Sequence, residues 1–284
     1  MPLNESGPIR FTVLQPTGPL AADVDVYRIA EYEGTEALAI KVCPNGSPGI
    51  LFQHRGGRSC IERIETVSGR TVPAVPTFFL HGPITELSIM YFKPGPFATV
   101  QAILKPHALK SLFGFDASRL TNGSVPYGVF ADEEAHRALL GAGCARDCVE
   151  PLERLLIAAL REARPRDELI EESLRIVRDE IETVTVKSLR ERLHLSERQF
   201  EKRFMQTVGV TPQLYIRVKR FNEAIRLMDT GRYERLIDVA HALRFHDQSH
   251  FIRDIKTFSG ITPKSVLQKV NHFHRDQIGS SYFV

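Results

Sequence analysis

The chain has 284 residues, 43% of them hydrophobic and 25% charged, with a net charge of +3. That gives room for about two domains of ordinary size and apolar material for more than one core. No stretch reaches the ~20 continuous apolar residues of a membrane helix, the first twenty residues lack the basic start and apolar run of a signal peptide, and four scattered cysteines make no disulfide framework, so a cytoplasmic protein with reduced cysteines and no membrane contact is expected.

The first 130 residues hold 13 of the 19 glycines and 13 of the 17 prolines. Between these turn residues lie short apolar runs: ALAIKV at 37–42, GILFQH at 49–54, TFFLHG at 77–82, LSIMYF at 87–92 and FATVQAIL at 97–104. Short runs punctuated by Gly, Pro and Asn read as strands. KPHALKSLFG at 105–114 breaks the pattern, because Leu109, Leu112 and Phe113 share a helical face and Gly114 can end the helix. Residues 1–140 are therefore expected to form a β-rich α+β domain. His54, Arg55 and His81 are its polar candidates for a ligand pocket, although surface or core roles suit each of them better. Cys144-x-x-x-Cys148 could be half a metal site, but no Cys or His pair at ligand spacing completes it. No metal and no cofactor is expected.

The period then changes. EPLERLLIAALREAR at 150–164 is a helix stopped by Pro165, and DELIEESLRIVRDEI at 167–181 is another. Residues 141–166 serve as a helical connector, and everything beyond 181 reads as helical up to a tail at 271–284. Residues 183–284 hold 18 Lys and Arg against 10 Asp and Glu, a net of +8, whereas residues 1–182 hold 19 against 24, a net of −5. A basic third behind an acidic body points to a polyanionic partner for that third.

This basic third repeats itself at a spacing of 51 residues. SERQFEKRFMQTVGVTP (196–212) maps onto DQSHFIRDIKTFSGITP (247–263), with Phe200 on Phe251, Phe204 on Ile255 and Gly209 on Gly260. In the first copy Val186, Leu189 and Leu193 form a buried stripe, HLS makes a turn, and Ser196 stands where an N-cap belongs. The following helix buries Phe200 and Phe204 and presents a polar, cationic outer face. In the second copy Leu236, Val239 and Leu243 form the stripe, RFH the turn and Asp247 the cap. Each copy is a helix-turn-helix, whose second helix enters a major groove. Between them Thr211 can cap, Pro212 suits the first helical position and Gly231 can end a helix of about 17 residues. At ~1.5 Å per residue that strut spans ~25 Å, comparable to one turn of DNA, so two readers on it suit one long asymmetric site.

Residues from about 167 to 270 resemble the DNA-binding domain of AraC-type transcription regulators. The resemblance is carried by SERQFEKRF, GVTPQLYIRVKRFNEAIRLM, DVAHALRF and DQSHFIRDIKTFSGITP, with Ala240, Phe245, Phe251, Gly260 and Pro263 at the family's spacing. It implies an all-α domain of two helix-turn-helix units joined by a long helix, acting on double-stranded DNA. By motif position it implies base contacts from Arg198, Glu201 and Lys202 in the first unit and from Gln248, Ser249, His250 and Arg253 in the second. Arg and Lys can pair with guanine, Gln with adenine and Glu with cytosine. Glu201 could instead be merely solvated, and His250 a packing residue; Asp247 and Asp254 would be repelled by phosphate and read as cap or intramolecular partners. The sequence departs from the family pattern at His194 and Arg244, where a turn glycine is usual, and at Arg190, where a small residue is common.

Residues 91–122 resemble the N-terminal domain of a subgroup of the same regulators. That resemblance covers about 40–130 and implies an effector-sensing or homodimerising module, with a partly closed β-barrel as one form. The reading is a sequence-specific transcription regulator controlled by a small-molecule effector or a partner at the N-terminal domain, with RNA polymerase as a further candidate contact. The rivals are a helical protein-interaction module and a DNA alkylation-repair protein. The latter needs an activated cysteine in a Pro-Cys-His-Arg setting, which no cysteine here has. Phosphate-loop, dinucleotide, nucleophile-elbow and zinc-protease motifs are also absent from the sequence.

Overall fold

The computed structural model describes residues 8–230, 233, 235–245, 247–269, 273–275 and 280–283. Strands β1 (Ile9–Leu14), β2 (Val24–Tyr32), β3 (Leu38–Val42), β4 (Gly49–His54), β5 (Ile61–Thr66), β6 (Thr71–Val72), β7 (Phe78–His81), β8 (Ser88–Phe92) and β9 (Phe97–Leu104) come first. Helix α1 (Ala108–Phe113), strand β10 (Ser124–Pro126) and helices α2 (Glu133–Leu140) and α3 (Val149–Arg161) follow. The five expected apolar runs are β3, β4, β7, β8 and β9. β2 was not foreseen because Asp25, Arg28 and Glu31 interrupt its apolar positions. The expected helix at 105–114 is α1, closed by Gly114 at φ 69°.

The remaining helices are α4 (Glu168–Asp179), α5 (Val186–Arg192), α6 (Glu197–Val208), α7 (Pro212–Asp229), α8 (Leu236–Ala242), α9 (Gln248–Ser259) and α10 (Pro263–Lys269). Their starts are capped as the sequence suggests. Ser196 accepts from the Gln199 N–H within a capping box, Thr211 from the Leu214 N–H, and Asp247 from the His250 N–H at 2.7 Å. α7 ends at Asp229; Gly231, its expected stop, and His246 of the second turn lie outside the described residues. The tail at 271–284, for which no element was expected, carries β11 (Phe273–Arg275) and β12 (Ser280–Phe283). SSYF carries no run that identifies a strand; it becomes one because β3 offers a partner edge.

One sheet has the order β1-β2-β9-β4-β7-β10 and the other β11-β12-β3-β8-β5-β6, with antiparallel pairing throughout. Among the described residues no strand takes part in both sheets, as closure would require, so the β-rich region consists of two open sheets rather than a barrel. Side chains alternate across the first sheet. Ile50, Phe52, Tyr27, Ile29 and Val100 face Leu109, Leu112, Leu152 and Leu156 of α1 and α3. Leu51, Phe79 and Phe97 face Ile40, Ile61 and Phe92 of the second sheet. β4 is buried on both faces, which is why it reads as an unbroken apolar run.

The helical domain is docked on this scaffold. The Lys219 ammonium donates to the Asn45 carbonyl at 2.8 Å, the Asn222 amide to the Pro44 carbonyl at 2.9 Å, and the Thr121 hydroxyl to the Gly209 carbonyl at 2.6 Å. The two repeated glycines are needed twice over. Gly209 (φ 88°) and Gly260 (φ 73°) end α6 and α9 in the left-handed region. A Cβ at Gly209 would also lie 2.8 Å from the Ala117 carbonyl oxygen and from Pro83, and one at Gly260 2.7 Å from Leu87.

Candidate nucleic-acid interface

Each unit is held from behind. Phe200 and Phe204 are fully buried, with rings 5.5 Å apart, and Phe204 meets Tyr215 of α7 at 5.6 Å. In the second unit Phe251 meets Phe245 at 5.1 Å, and Phe258 meets Phe221 of α7 at 5.4 Å. The turn residues His194 and Arg244 stand at φ 53° and 49°, the left-handed conformation that glycine would adopt at less cost. Arg190 pairs with Glu197, the first residue of α6, at 3.3 Å.

Ion pairs fasten the helices to their supports. Arg203 of α6 pairs with Asp167 at 2.6 Å, and Arg217 of α7 with Asp254 of α9 at 2.6 Å. Asp254 is 1% exposed, so it is an intramolecular partner and leaves no anion on the outer face of α9. Asp247 is the cap of that helix.

Arg198, Glu201 and Lys202 are exposed on α6, and Gln248, Ser249 and Arg253 are exposed on α9. His250 differs. Its ring packs edge-on against Phe245 at 5.6 Å, and its Nε2 lies 3.6 Å from Asp254. It is drawn partly into the fold, towards the packing role that the sequence left open.

The pairing of cations separates two kinds of arginine. Arg190, Arg192, Arg203, Arg217, Arg226 and Arg235 each hold a carboxylate, and Arg220 holds the carbonyls of Ile181 and Val184. Among the described residues Arg198, Lys202, Arg253 and Lys256 are exposed and none forms an ion pair. These four cations stand on the two helices that follow the turns. Ile252 is the exposed aliphatic residue on the same face of α9.

A cavity of about 160 Å³ lies between the two sheets. Its walls are apolar, with Phe11, Ile40, Leu51, Ile61, Met90 and Phe97 among them, and one corner is polar. There a hydrogen-bond chain runs from one side to the other. Arg28 donates to the Gln101 Oε1 at 2.6 Å, and the Gln101 amide donates to His81 Nε2 at 2.8 Å. His81 Nδ1 then donates to the Gly82 carbonyl at 2.9 Å. The Gln101 link requires a neutral histidine, and burial pushes His81 down to about 4. His54 and Arg55 are tied elsewhere, to the Ala142 and Pro94 carbonyls. Arg28 and Gln101, 73 residues apart, carry no sequence signal; they meet because β2 and β9 pair with these two residues in register. A separate cleft of about 740 Å³ runs between the domains, where burial pushes Lys219 down to about 8 and raises Asp25.

The cysteines are free thiols. Burial pushes Cys43, Cys60 and Cys148 up to about 12, the reverse of an activated nucleophile. Among the described residues no group of three or more His, Cys, Asp or Glu could hold a metal ion, and no helix is long and apolar enough to cross a membrane.

Residues 189–269 match the family model described as a helix-turn-helix domain, and residues 12–126 match a domain of unknown function, DUF6597. No curated protein sequence matches the chain. Among solved structures, ToxT from Vibrio cholerae is similar at 11% identity, covering 92% of this chain and 98% of its own, with a TM-score of 0.49. Wild-type ToxT from strain SCE256 bound to an unsaturated fatty acid is similar at 13% identity over 85% of this chain and 94% of its own, with a TM-score of 0.48. The AraC-like transcriptional activator CuxR is similar at 13% identity over 76% of this chain and 86% of its own, with a TM-score of 0.24.

Proposed function

We propose that this chain is a DNA-binding transcription regulator of the AraC type, in which α6 and α9 enter two successive major-groove segments of one asymmetric site. α6 presents Arg198, Glu201 and Lys202 to the bases, and α9 presents Gln248, Ser249 and Arg253, with His250 at the inner edge of the contact. The observation that carries this reading is that Arg198 and Lys202 on α6 and Arg253 and Lys256 on α9 are exposed with no internal ion pair, beside neighbouring arginines that each hold a carboxylate or carbonyl. The 18 residues of α7 set the separation of the two readers at ~27 Å, which suits consecutive groove openings. Control belongs to the N-terminal domain, through a small and largely apolar effector in the cavity between the sheets. Division of labour follows the chain: sensing and dimerisation in 1–140, a connector in 141–166, DNA binding in 167–270 and a tail in 271–284. The protein then works in the cytoplasm, on the nucleoid when bound, and contact with RNA polymerase or with a second copy would come from surfaces away from α6 and α9.

Duplexes selected by the full-length chain from a random pool test the reading. Binding should fall steeply with salt, because each phosphate contact releases counterions. Arg253→Ala should weaken the selected site by ~1–3 kcal/mol while sparing nonspecific duplex. Equal loss on both would make Arg253 a phosphate contact, and salt-insensitive or absent DNA binding at low ionic strength would favour the protein-interaction module. Two buried, unactivated thiols in the β-rich region and one at the start of α3 speak against the repair reading.

A further inference from the structure

We infer that Ile252 is a specificity residue that reads the 5-methyl group of a thymine. It stands four residues after Gln248, three after Ser249 and four before Lys256, so it lies on the stripe that α9 turns outward. It is 38% exposed, on a face otherwise made of amide, hydroxyl and cationic groups. Its counterpart in the repeat is Glu201, so the packing of the motif does not require an aliphatic side chain there. The core of the unit is complete without it: Phe251, Ile255 and Phe258 fill the inner face. The thymine methyl is the one apolar group that a base pair offers in the major groove, and the other base-edge groups there are hydrogen-bonding. An aliphatic residue on a groove-facing stripe gains by covering that methyl and loses against any other base.

This inference rests on α9 entering the groove, and the test separates the two. In a site selected from a random pool, each thymine of the α9 half is replaced in turn by deoxyuridine, which removes only the methyl. At one position the wild-type protein should lose about fourfold, the worth of one buried methyl-sized group. Ile252→Ala should lose a similar factor on the thymine site and be indifferent to uracil at that position. The variant keeps its fold, since the position is exposed and alanine favours helix. If no thymine methyl matters, or if the two losses multiply in full, the inference falls while DNA binding stands. A pool that enriches nothing removes both.

The C-terminal strand carries a second, independent inference. β12 adds to the second sheet with Ser281, Tyr282 and Phe283 opposite Val42, Lys41 and Ile40. Ser280 and Ser281 line the cavity between the sheets, and Ser280 also borders the interdomain cleft. Tyr282 points the other way, into the core of the second helix-turn-helix, and donates its hydroxyl to the Ser259 carbonyl at the end of α9 at 2.5 Å. We propose that β12 is the strap through which the sensing domain and the second reader feel each other. It rests on the regulator reading. Hydrogen exchange of the full chain, with and without its selected duplex, tests it in one sample in which binding is also monitored. DNA on α9 should change the exchange of the β3 and β12 amides several-fold in the wild type and leave them unchanged in Tyr282→Phe, which keeps the ring and loses the hydroxyl. Unaltered β3 and β12 amides on a fully bound wild-type protein would overturn the strap without touching DNA binding.

Discussion

Phe251→Ala will cost about 3–5 kcal/mol and abolish specific DNA binding. The ring is fully buried between Phe245 of the turn and the apolar stripe of α7, where Val218, Phe221, Ile225 and Met228 are also buried. Its loss leaves a cavity that an 18-residue helix, held at both ends, cannot close. Against a total stability of ~5–15 kcal/mol the loss is large, and a domain of about 100 residues should melt roughly 15–30 °C lower. Thermal unfolding followed beside DNA binding checks it. Arg253→Ala is the control, since it removes an exposed side chain and should leave the melting temperature in place. A Phe251→Ala protein that melts within a degree or two of wild type would show that the second unit is not built around this ring.

Acid will destabilise the N-terminal domain through His81. In the unfolded chain a histidine takes up its proton near pH 6.5. In the folded protein burial, helped by the nearby Arg28 charge and opposed by the Gly82 carbonyl that accepts from Nδ1, holds His81 down to about 4, and its Nε2 accepts from Gln101. Turning the Gln101 amide over would not help, since its NH2 would then face the Arg28 guanidinium. The unfolded state therefore binds one more proton between pH 6.5 and 4, so stability is full above 6.5 and is lost as the pH falls towards 4. The loss amounts to roughly 3 kcal/mol at the lower end. His81→Gln can keep a donor and an acceptor at the corner without titrating. Denaturant titrations at pH 7 and pH 4.5 should show a much smaller acid loss in the variant. Equal losses in the two proteins would place the acid sensitivity in the carboxylates instead.

The residues behind these two predictions differ in how far they could be read from the chain. Phe251 was legible because its spacing to Ile255 and its match to Phe200 record a packing pattern that recurs wherever this motif is built. The caps Ser196, Thr211 and Asp247 were legible for the same local reason, since each satisfies N–H groups two or three residues away. The left-handed turns at His194 and Arg244 follow from the motif even though neither residue favours that conformation. The corner of Arg28, Gln101 and His81 was not legible, because three strands distant in sequence bring it together and no spacing records their register.

The sequence by itself determined the helix-turn-helix pair, the strut between them and the identity of the outward side chains. All of these depend on i to i+4 periodicity and on capping, which are interactions within a turn or two of helix. The tertiary structure alone decided four things: that the β region is two open sheets around a cavity, that His250 turns towards Asp254, that Arg190 pairs with Glu197, and that the last strand of the chain joins the first domain. Those outcomes depend on which distant backbone edge or charge happens to be within reach once the cores have formed, and that is a property of the assembled shape.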